Sequence, residues 1–223
     1  MTWLLGLMLL FQSATKPGSA TGAATNSSSV LTLATLNLPT ALAQSGTFSA
    51  SNVGTGVQFA DTAGRSGSAI EGLVNTYPGS PYTLTLEMTL PTPASDYGGA
   101  GIAIATSTTG NAMWFGYLHY SGFSPAWALV VYTYSNPGST GSNLVFSNTG
   151  AVSSAPVWLR MHDDGTNITY YVSPDGSTWT TVYTVAKASG YLGSSGFDYL
   201  GFVVQPQSAA TSVVLQSWTI TYP

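Results

Sequence analysis

Residues 82–90, YTLTLEMTL, constrain the fold more than any other stretch of the chain. Tyr82, Leu84, Leu86, Met88 and Leu90 fall on one side of an extended backbone, and Thr83, Thr85, Glu87 and Thr89 on the other. Successive side chains of a strand point to opposite faces, so this period of two describes a strand with one face in a core. Short runs of the same kind recur at Gly56–Phe59, Gly101–Ala105, Met113–Tyr120, Trp127–Tyr134 and Leu144–Phe146. They continue at Trp158–His162, Asn167–Ser173, Thr178–Thr184, Tyr199–Val204 and Val213–Tyr222, each bounded by Gly, Pro, Asn, Asp or Ser. No segment carries helical spacing over ten or more residues; residues 183–193 allow one short turn. No repeat of fixed period marks a solenoid or propeller. Many short strands at regular spacing predict an all-β protein, an antiparallel two-sheet β-sandwich or barrel.

The stretch VWLRMHDDGTNITYYVSPDGSTW, residues 157–179, places two turn signals among three such runs. Asp163-Asp164-Gly165 and Pro174-Asp175-Gly176 have hairpin composition: Gly takes φ > 0 without a steric cost and Asp bonds its own turn backbone. Ile168, Tyr170 and Val172 share a face, and Leu159 and Met161 turn toward the same core. Asp163, Asp164 and Asp175 are therefore expected at solvated loop tips, as turn formers.

This strand, D-G turn, strand, S-x-D-G turn and aromatic resemble the concanavalin A-like lectin/glucanase jelly roll, in particular laminin-G-like modules of bacterial and phage proteins. Two outer stretches extend the resemblance over roughly residues 45–222. GAGIAIATSTTGNAMWFGY is similar to the family's pair of a small-residue strand and an aromatic strand, and FDYLGFVVQPQSAATSVVLQSWTIT to its closing pair, whose last strand returns beside the first. The resemblance implies fold rather than activity, because this sandwich hosts many functions.

Charge narrows the partners. Only 5% of residues are charged, the formal net charge is −4, and the basic residues are Lys16, Arg65, Arg160 and Lys187, scattered along the chain. Phosphate backbones and anionic membranes are held by clustered Lys and Arg, so nucleic acid and anionic bilayers are poor partners. The absence of cysteine removes disulfides, thiolate metal sites and Cys nucleophiles.

Ahead of the sandwich, Thr2–Phe11 (TWLLGLMLLF) is almost wholly apolar, and residues 12–29 are small, polar and Gly/Pro-punctuated. Ten residues are too few to span a bilayer, which takes about 20. The run suits a signal h-region followed by small residues, although no Lys or Arg precedes it. The rival is an apolar arm, Trp3, Leu4, Leu5, Leu7, Leu9 and Phe11, that anchors the protein to a neighbour. The expected organisation is an arm and linker over 1–29 and a sandwich over 30–223.

Catalytic patterns are sparse. Glucanases of the resembled fold use E-x-D-x-x-E, and a retaining pair needs carboxyls about 5–5.5 Å apart; Glu71 and Glu87 have no acidic neighbour within a few residues. G-x-S-x-G does not occur in a strand–turn–helix setting. A metal would need His162 to converge with Asp163, Asp164 or Asp175. Calcium, which some modules of the resembled fold bind through loop carboxylates and carbonyls, is the ion to consider, and no other cofactor is expected.

The remaining chemistry is aromatic. Trp114, Tyr117, Tyr120, Phe123 and Trp127 crowd one hairpin, with Tyr132 and Tyr134 on the next strand. Alternation puts Trp114, Leu118 and Tyr120 on one face and Phe115, Tyr117 and His119 on the other, so one set is core and the other is a lectin-like or subunit surface. Trp114, Tyr117, Tyr120, Trp127 and Tyr132 are the expected sugar-stacking residues. The functional expectation is a non-enzymatic bacteriophage virion subunit, in a tail fibre, tail tip or capsid decoration. Its partners would be itself, other virion proteins and a host-surface glycan. The alternative is a secreted bacterial carbohydrate-binding or adhesion module with a cleaved signal, and a glycoside hydrolase ranks below both.

Overall fold

A computed structural model of the chain describes residues 30–43, 47–64, 67, 69–90, 96–148, 156–188, 191, 193, 196–207 and 209–223. The expected anchoring arm and linker, residues 1–29, lie outside these. After a single helical turn, α1 (Leu33–Leu36), come β1 (Thr40–Leu42), β2 (Phe48–Val53), β3 (Gly56–Asp61), β4 (Glu71–Thr76), β5 (Tyr82–Met88), β6 (Gly98–Ala105) and β7 (Ala112–His119). They are followed by β8 (Trp127–Tyr134), β9 (Ser142–Ser147), β10 (Val157–Asp163), β11 (Asn167–Ser173), β12 (Thr180–Ala186), β13 (Tyr199–Pro206) and β14 (Thr211–Thr221).

The strands build two seven-stranded antiparallel sheets, ordered β1-β4-β13-β6-β7-β8-β9 and β12-β11-β10-β5-β14-β3-β2. Of the sandwich and the barrel that the patterning allows, the two-sheet sandwich is the observed fold, as the resemblance to the jelly roll implies. The alternation of β5 is realised in full: Tyr82, Leu84, Leu86 and Met88 are buried, and Thr83, Thr85 and Glu87 half-buried. These residues meet Leu159 and Met161 of β10, Ile168 and Tyr170 of β11, and Ile102, Phe115 and Phe202 of the opposite sheet in one core. Phe59 meets Phe202 edge-on across the layers at 4.9 Å, a favoured geometry for buried rings.

Both turns in 157–179 form hairpins: β10 pairs β11 and β11 pairs β12. Gly165 (φ 95°) and Gly176 (φ 72°) adopt the left-handed backbone that those turns require. Two expectations need correction. Asp163 is not at a solvated tip but fully buried, because it continues the inward alternation of Val157, Leu159 and Met161. The closing strands β13 and β14 are not paired with each other: β13 lies between β4 and β6, and β14 between β3 and β5 in the other sheet.

The first sheet is covered on its outer face as well. Every residue of β6 is buried, and Leu42, Val74, Ala103, Trp114, Val130 and Val203 form a second apolar cluster there. The β8–β9 turn folds back over this layer, where the Pro137 carbonyl accepts the Ile70 N–H at 2.9 Å. Among the described residues no second layer covers the second sheet's outer face, which carries half-buried Thr83, Thr85, Arg160, His162, Thr169 and Tyr171.

Candidate functional site

A hollow of about 330 Å³ opens on the first sheet's outer face, lined by Tyr97, Tyr132, Gly141, Asn143, Phe146 and Gln207. Its floor is β8 and β9. The register between them slips between Val131 and Tyr132, which pairs Val131 with Val145 but Tyr132 with Asn143. Leu144 is the extra residue of this bulge, and such bulges re-aim neighbouring side chains. Asn143 and Phe146 thereby flank Tyr132 on one face. Tyr97, just before β6, and Gln207, just after β13, close the hollow from the sheet's end.

Gln205 lies fully buried beside this wall. Its amide NH2 donates to the Tyr97 carbonyl at 3.1 Å and to Gln207 Oε1 at 3.3 Å, and its carbonyl accepts the Tyr134 hydroxyl at 3.2 Å. One buried amide thus fixes both end residues, as a satisfied buried polar network does. Tyr97, Tyr120, Phe123 and Phe146 stack around each other with ring centroids 5.1–5.6 Å apart. Burial, with the neighbouring Tyr97 phenol, pushes the Tyr132 phenol up to about 12, so it stays a neutral hydroxyl near pH 7.

The five sugar-stacking residues expected from the sequence are dispersed. Tyr132 lines the hollow. Tyr120 packs in the adjoining aromatic cluster, against Phe146. Trp114 and Tyr117 are each 0% exposed, so neither presents a ring face to a ligand. Tyr117 belongs to the inter-sheet core. Trp114 fills the space that Gly99 leaves over β6, where a Cβ would stand 2.7 Å from its ring, and it meets Tyr132 edge-on at 5.7 Å. It supports the hollow from beneath. Trp127 packs against the inter-sheet core and stacks edge-on with His119. The sequence reading passed over Tyr97, Asn143, Phe146 and Gln207. Their signal is topological, since they come from three separate parts of the chain.

No acid lines the hollow, and several cap turns elsewhere. Asp164 accepts the Thr166 and Asn167 N–H groups at 2.7 and 2.6 Å. Asp175 accepts those of Ser177 and Thr178, each at 2.8 Å, and these bonds hold its carboxyl well below the usual range. Asp198 accepts the Ser107 N–H at 2.7 Å and the Ser107 hydroxyl, tying the β6–β7 turn to the chain before β13. Among the described residues no three His, Asp or Glu side chains gather as a metal site, so His162 does not converge with Asp163, Asp164 and Asp175.

Two clusters invite comparison with catalytic sites. Asp96 accepts the Ser121 hydroxyl at 2.6 Å and N–H at 2.8 Å, and its Oδ1 lies 2.9 Å from His119 Nδ1. In a serine triad the imidazole stands between hydroxyl and carboxylate so that it can take the proton; here the carboxylate stands between the other two. Lys187 donates to the Ser80 hydroxyl, as in Ser–Lys enzymes, but also to Asp163 Oδ2 at 2.7 Å. An ammonium paired with a carboxylate is no base for that hydroxyl.

No protein-family model matches the sequence, and no curated protein matches it. Solved structures do. A functionally unknown protein from Saccharomyces cerevisiae superposes with a TM-score of 0.62 at 18% identity, over 84% of this chain and 98% of that one. The GH43 protein BlXynB from Bacillus licheniformis, as its K247S mutant, superposes at 0.55 with 14% identity, over 78% of this chain and 35% of that one. A GH43B protein of a Bacteroides ovatus xyloglucan locus superposes at 0.55 with 10% identity, covering 78% and 34%. This chain spans about a third of the length of the GH43 structures it matches. At these identities the likeness is one of fold alone: the chain shares a two-sheet β-sandwich with these structures.

Proposed function

We propose that this protein is a non-enzymatic glycan-binding sandwich that takes a neutral sugar unit in the hollow around Tyr132. The observation that carries this reading is the lining: the rings of half-buried Tyr97 and Phe146 and of Tyr132, 9% exposed, beside the amides of Asn143 and Gln207, in about 330 Å³. Sugar sites pair aromatic faces, which cover apolar ring C–H groups, with a few fixed polar groups, and small-ligand sites begin near about 300 Å³. The acid-free lining and the use of carboxylates as turn caps support binding without hydrolysis, because glycoside cleavage takes two placed carboxyls.

Glycan-array screening followed by calorimetry tests this. Tyr132→Ala and Asn143→Ala are expected to weaken the best neutral glycan by at least about tenfold, the size of one or two lost contacts. Wild-type affinity in both variants, or reducing-sugar release from the bound glycan, refutes the reading.

The setting we propose is the surface of a bacteriophage particle, with apolar residues 2–11 docking the subunit and the sandwich facing outward. The low charge, the Cys-free chain and the arm support it. The small residues after Phe11 favour a second reading, a secreted module with a cleaved leader. N-terminal sequencing of native protein separates them: an intact arm in purified particles supports the first, and a new N-terminus near residue 20 in culture medium supports the second.

A further inference from the structure

The hollow leaves the opposite sheet unused, yet that sheet presents an oriented cation. Arg160 of β10 lies on the uncovered outer face, beside Thr85 of β5 and Tyr171 of β11 in the strand register. Its guanidinium carbon stands 3.7 Å from the Trp179 ring centroid, and its Nε–H donates to the Thr85 hydroxyl at 3.2 Å. Trp179 is itself held in place. Asp175 caps the β11–β12 turn through Ser177, Thr178 and the Ser173 hydroxyl, which donates to it at 2.9 Å, and Gly176 lets that turn close against the Trp158 ring. The S-P-D-G-S-T-W turn therefore serves to seat an indole over an arginine.

A guanidinium carries five N–H donors, of which Thr85 takes one. Among the described residues no carboxylate takes the other four. Lys187 is paired with Asp163, and His119 lies against Asp96. Glu87, two residues from Thr85 on the same strand face, makes no ion pair with Arg160. A stacked, hydrogen-bonded guanidinium whose fork lacks an acid is arranged for a two-oxygen anion, which it meets with two parallel N–H···O bonds. Half-buried Trp158 and Tyr171 border the same flat face, as do the hydroxyls of Thr83, Thr85 and Thr169, which bond His162 Nδ1, Arg160 Nε and the Thr184 hydroxyl and keep further hydrogen-bonding capacity.

We propose that this face is a second, independent binding site, in which Arg160 takes the carboxylate of a uronate unit in an acidic polysaccharide. The site stands on the other sheet from the hollow and does not depend on it.

The test is calorimetric titration of the full chain with a galacturonate oligosaccharide, with the same oligosaccharide after its carboxyls are reduced, and with inorganic phosphate. The acidic oligosaccharide is expected to bind at least about tenfold more tightly than the reduced one, the size of a lost charge-assisted contact. Binding weakens with added salt. Arg160→Gln abolishes the preference, and Arg160→Lys, which keeps charge but loses the fork, diminishes it. Repeated in a Tyr132→Ala background, where the hollow is disabled, the acidic oligosaccharide still binds and still loses affinity with Arg160→Gln, so failure of one site is distinguishable from failure of the other. Absence of acidic-oligosaccharide binding, equal binding of phosphate, or an unchanged preference in Arg160→Gln overturns the proposal. Should Arg160→Gln fail to fold, Arg160→Lys decides: a diminished preference upholds the site, and an unaltered one overturns it.

Discussion

Asp163 is the most stringent place to challenge the structure, because a wholly enclosed carboxylate must be paired or it costs stability. Its Oδ2 accepts Lys187 Nζ at 2.7 Å, the Tyr77 hydroxyl at 2.6 Å and the Ser80 hydroxyl, and its Oδ1 accepts the Gly165 N–H at 2.8 Å. Asparagine preserves the shape and the bond from Gly165 but removes the charge that the other three donors face. Breaking a buried pair by removing one partner costs about 3–5 kcal/mol. In Asp163→Asn the stranded group is Lys187, whose side chain is 23% exposed and can turn to water. The lower end of that range applies, about 3 kcal/mol, which in a chain of this size lowers Tm by about 6–12 °C. Lys187→Met strands the carboxylate instead, and that group is 0% exposed. It should cost more, about 5 kcal/mol.

The pH dependence carries the sign. Burial by itself raises the Asp163 carboxyl, but Lys187, Ser80, Tyr77 and Gly165 outweigh it and hold the carboxyl below its ordinary value. A depressed acid contributes stability that is present above its unfolded value, about 3.9, and lost as pH falls through the folded value. The gap between wild type and Asp163→Asn should therefore narrow below about pH 4. In Lys187→Met desolvation is left without its main counterweight and the carboxyl rises, so that variant should regain stability on acidification from pH 7. Thermal melts by circular dichroism across this range measure both. A loss under about 2 °C at neutral pH, or a gap indifferent to pH, would show that Asp163 is not enclosed and paired as described.

Three further outcomes follow from the packing and the hollow. Phe202→Ala, which deletes a buried ring in contact with Phe59, should cost about 3–5 kcal/mol in urea unfolding. Gly101→Ala should leave little soluble protein on expression, because its Cβ would stand 2.1 Å from the Phe115 carbonyl oxygen and 2.6 Å from Gly116 Cα, both backbone atoms. Since the Tyr132 phenol is pushed up to about 12, the glycan affinity lost in Tyr132→Ala should be the same at pH 7 and at about pH 10, where an ordinary tyrosine would titrate.

What the sequence reveals here depends on whether a strand is covered on one face or two. β5, β10 and β11 are covered on one, so their side chains alternate and the second sheet is readable residue by residue. Asp163 was legible in the same way, as the next inward position after Met161, but the D-D-G turn signal concealed it. β1 spans three residues, β2 is largely polar, and β4 begins at the buried Glu71; none shows a clean period, and each is fixed by its partners. α1 is one turn, set by the exchange of hydroxyl and N–H bonds between Thr32 and Thr35. The aromatic hairpin was visible as a cluster. Which rings face a ligand was not, because that depends on the loops that close over the first sheet.

That difference in cover also decides where a ligand can approach. The first sheet buries Trp114, Val130 and Val203 beneath its own turns, so its outer face opens where the β8–β9 bulge and the residues flanking β6 and β13 hold those turns apart. In the proposed reading, recognition there is by depth, with rings and amides around one sugar unit. Among the described residues the second sheet has no such apolar layer on its outer face, and the proposed recognition there is by a flat array around one charge. A chain with 5% charged residues spends most of its acids on holding turns, and at Asp175 that service reaches the surface chemistry, because the capped turn carries Trp179 onto Arg160. On the proposal above, the hairpin between Ser173 and Thr180 is both architecture and binding site, and changes to its turn residues should register in affinity for acidic glycans before they register in the fold.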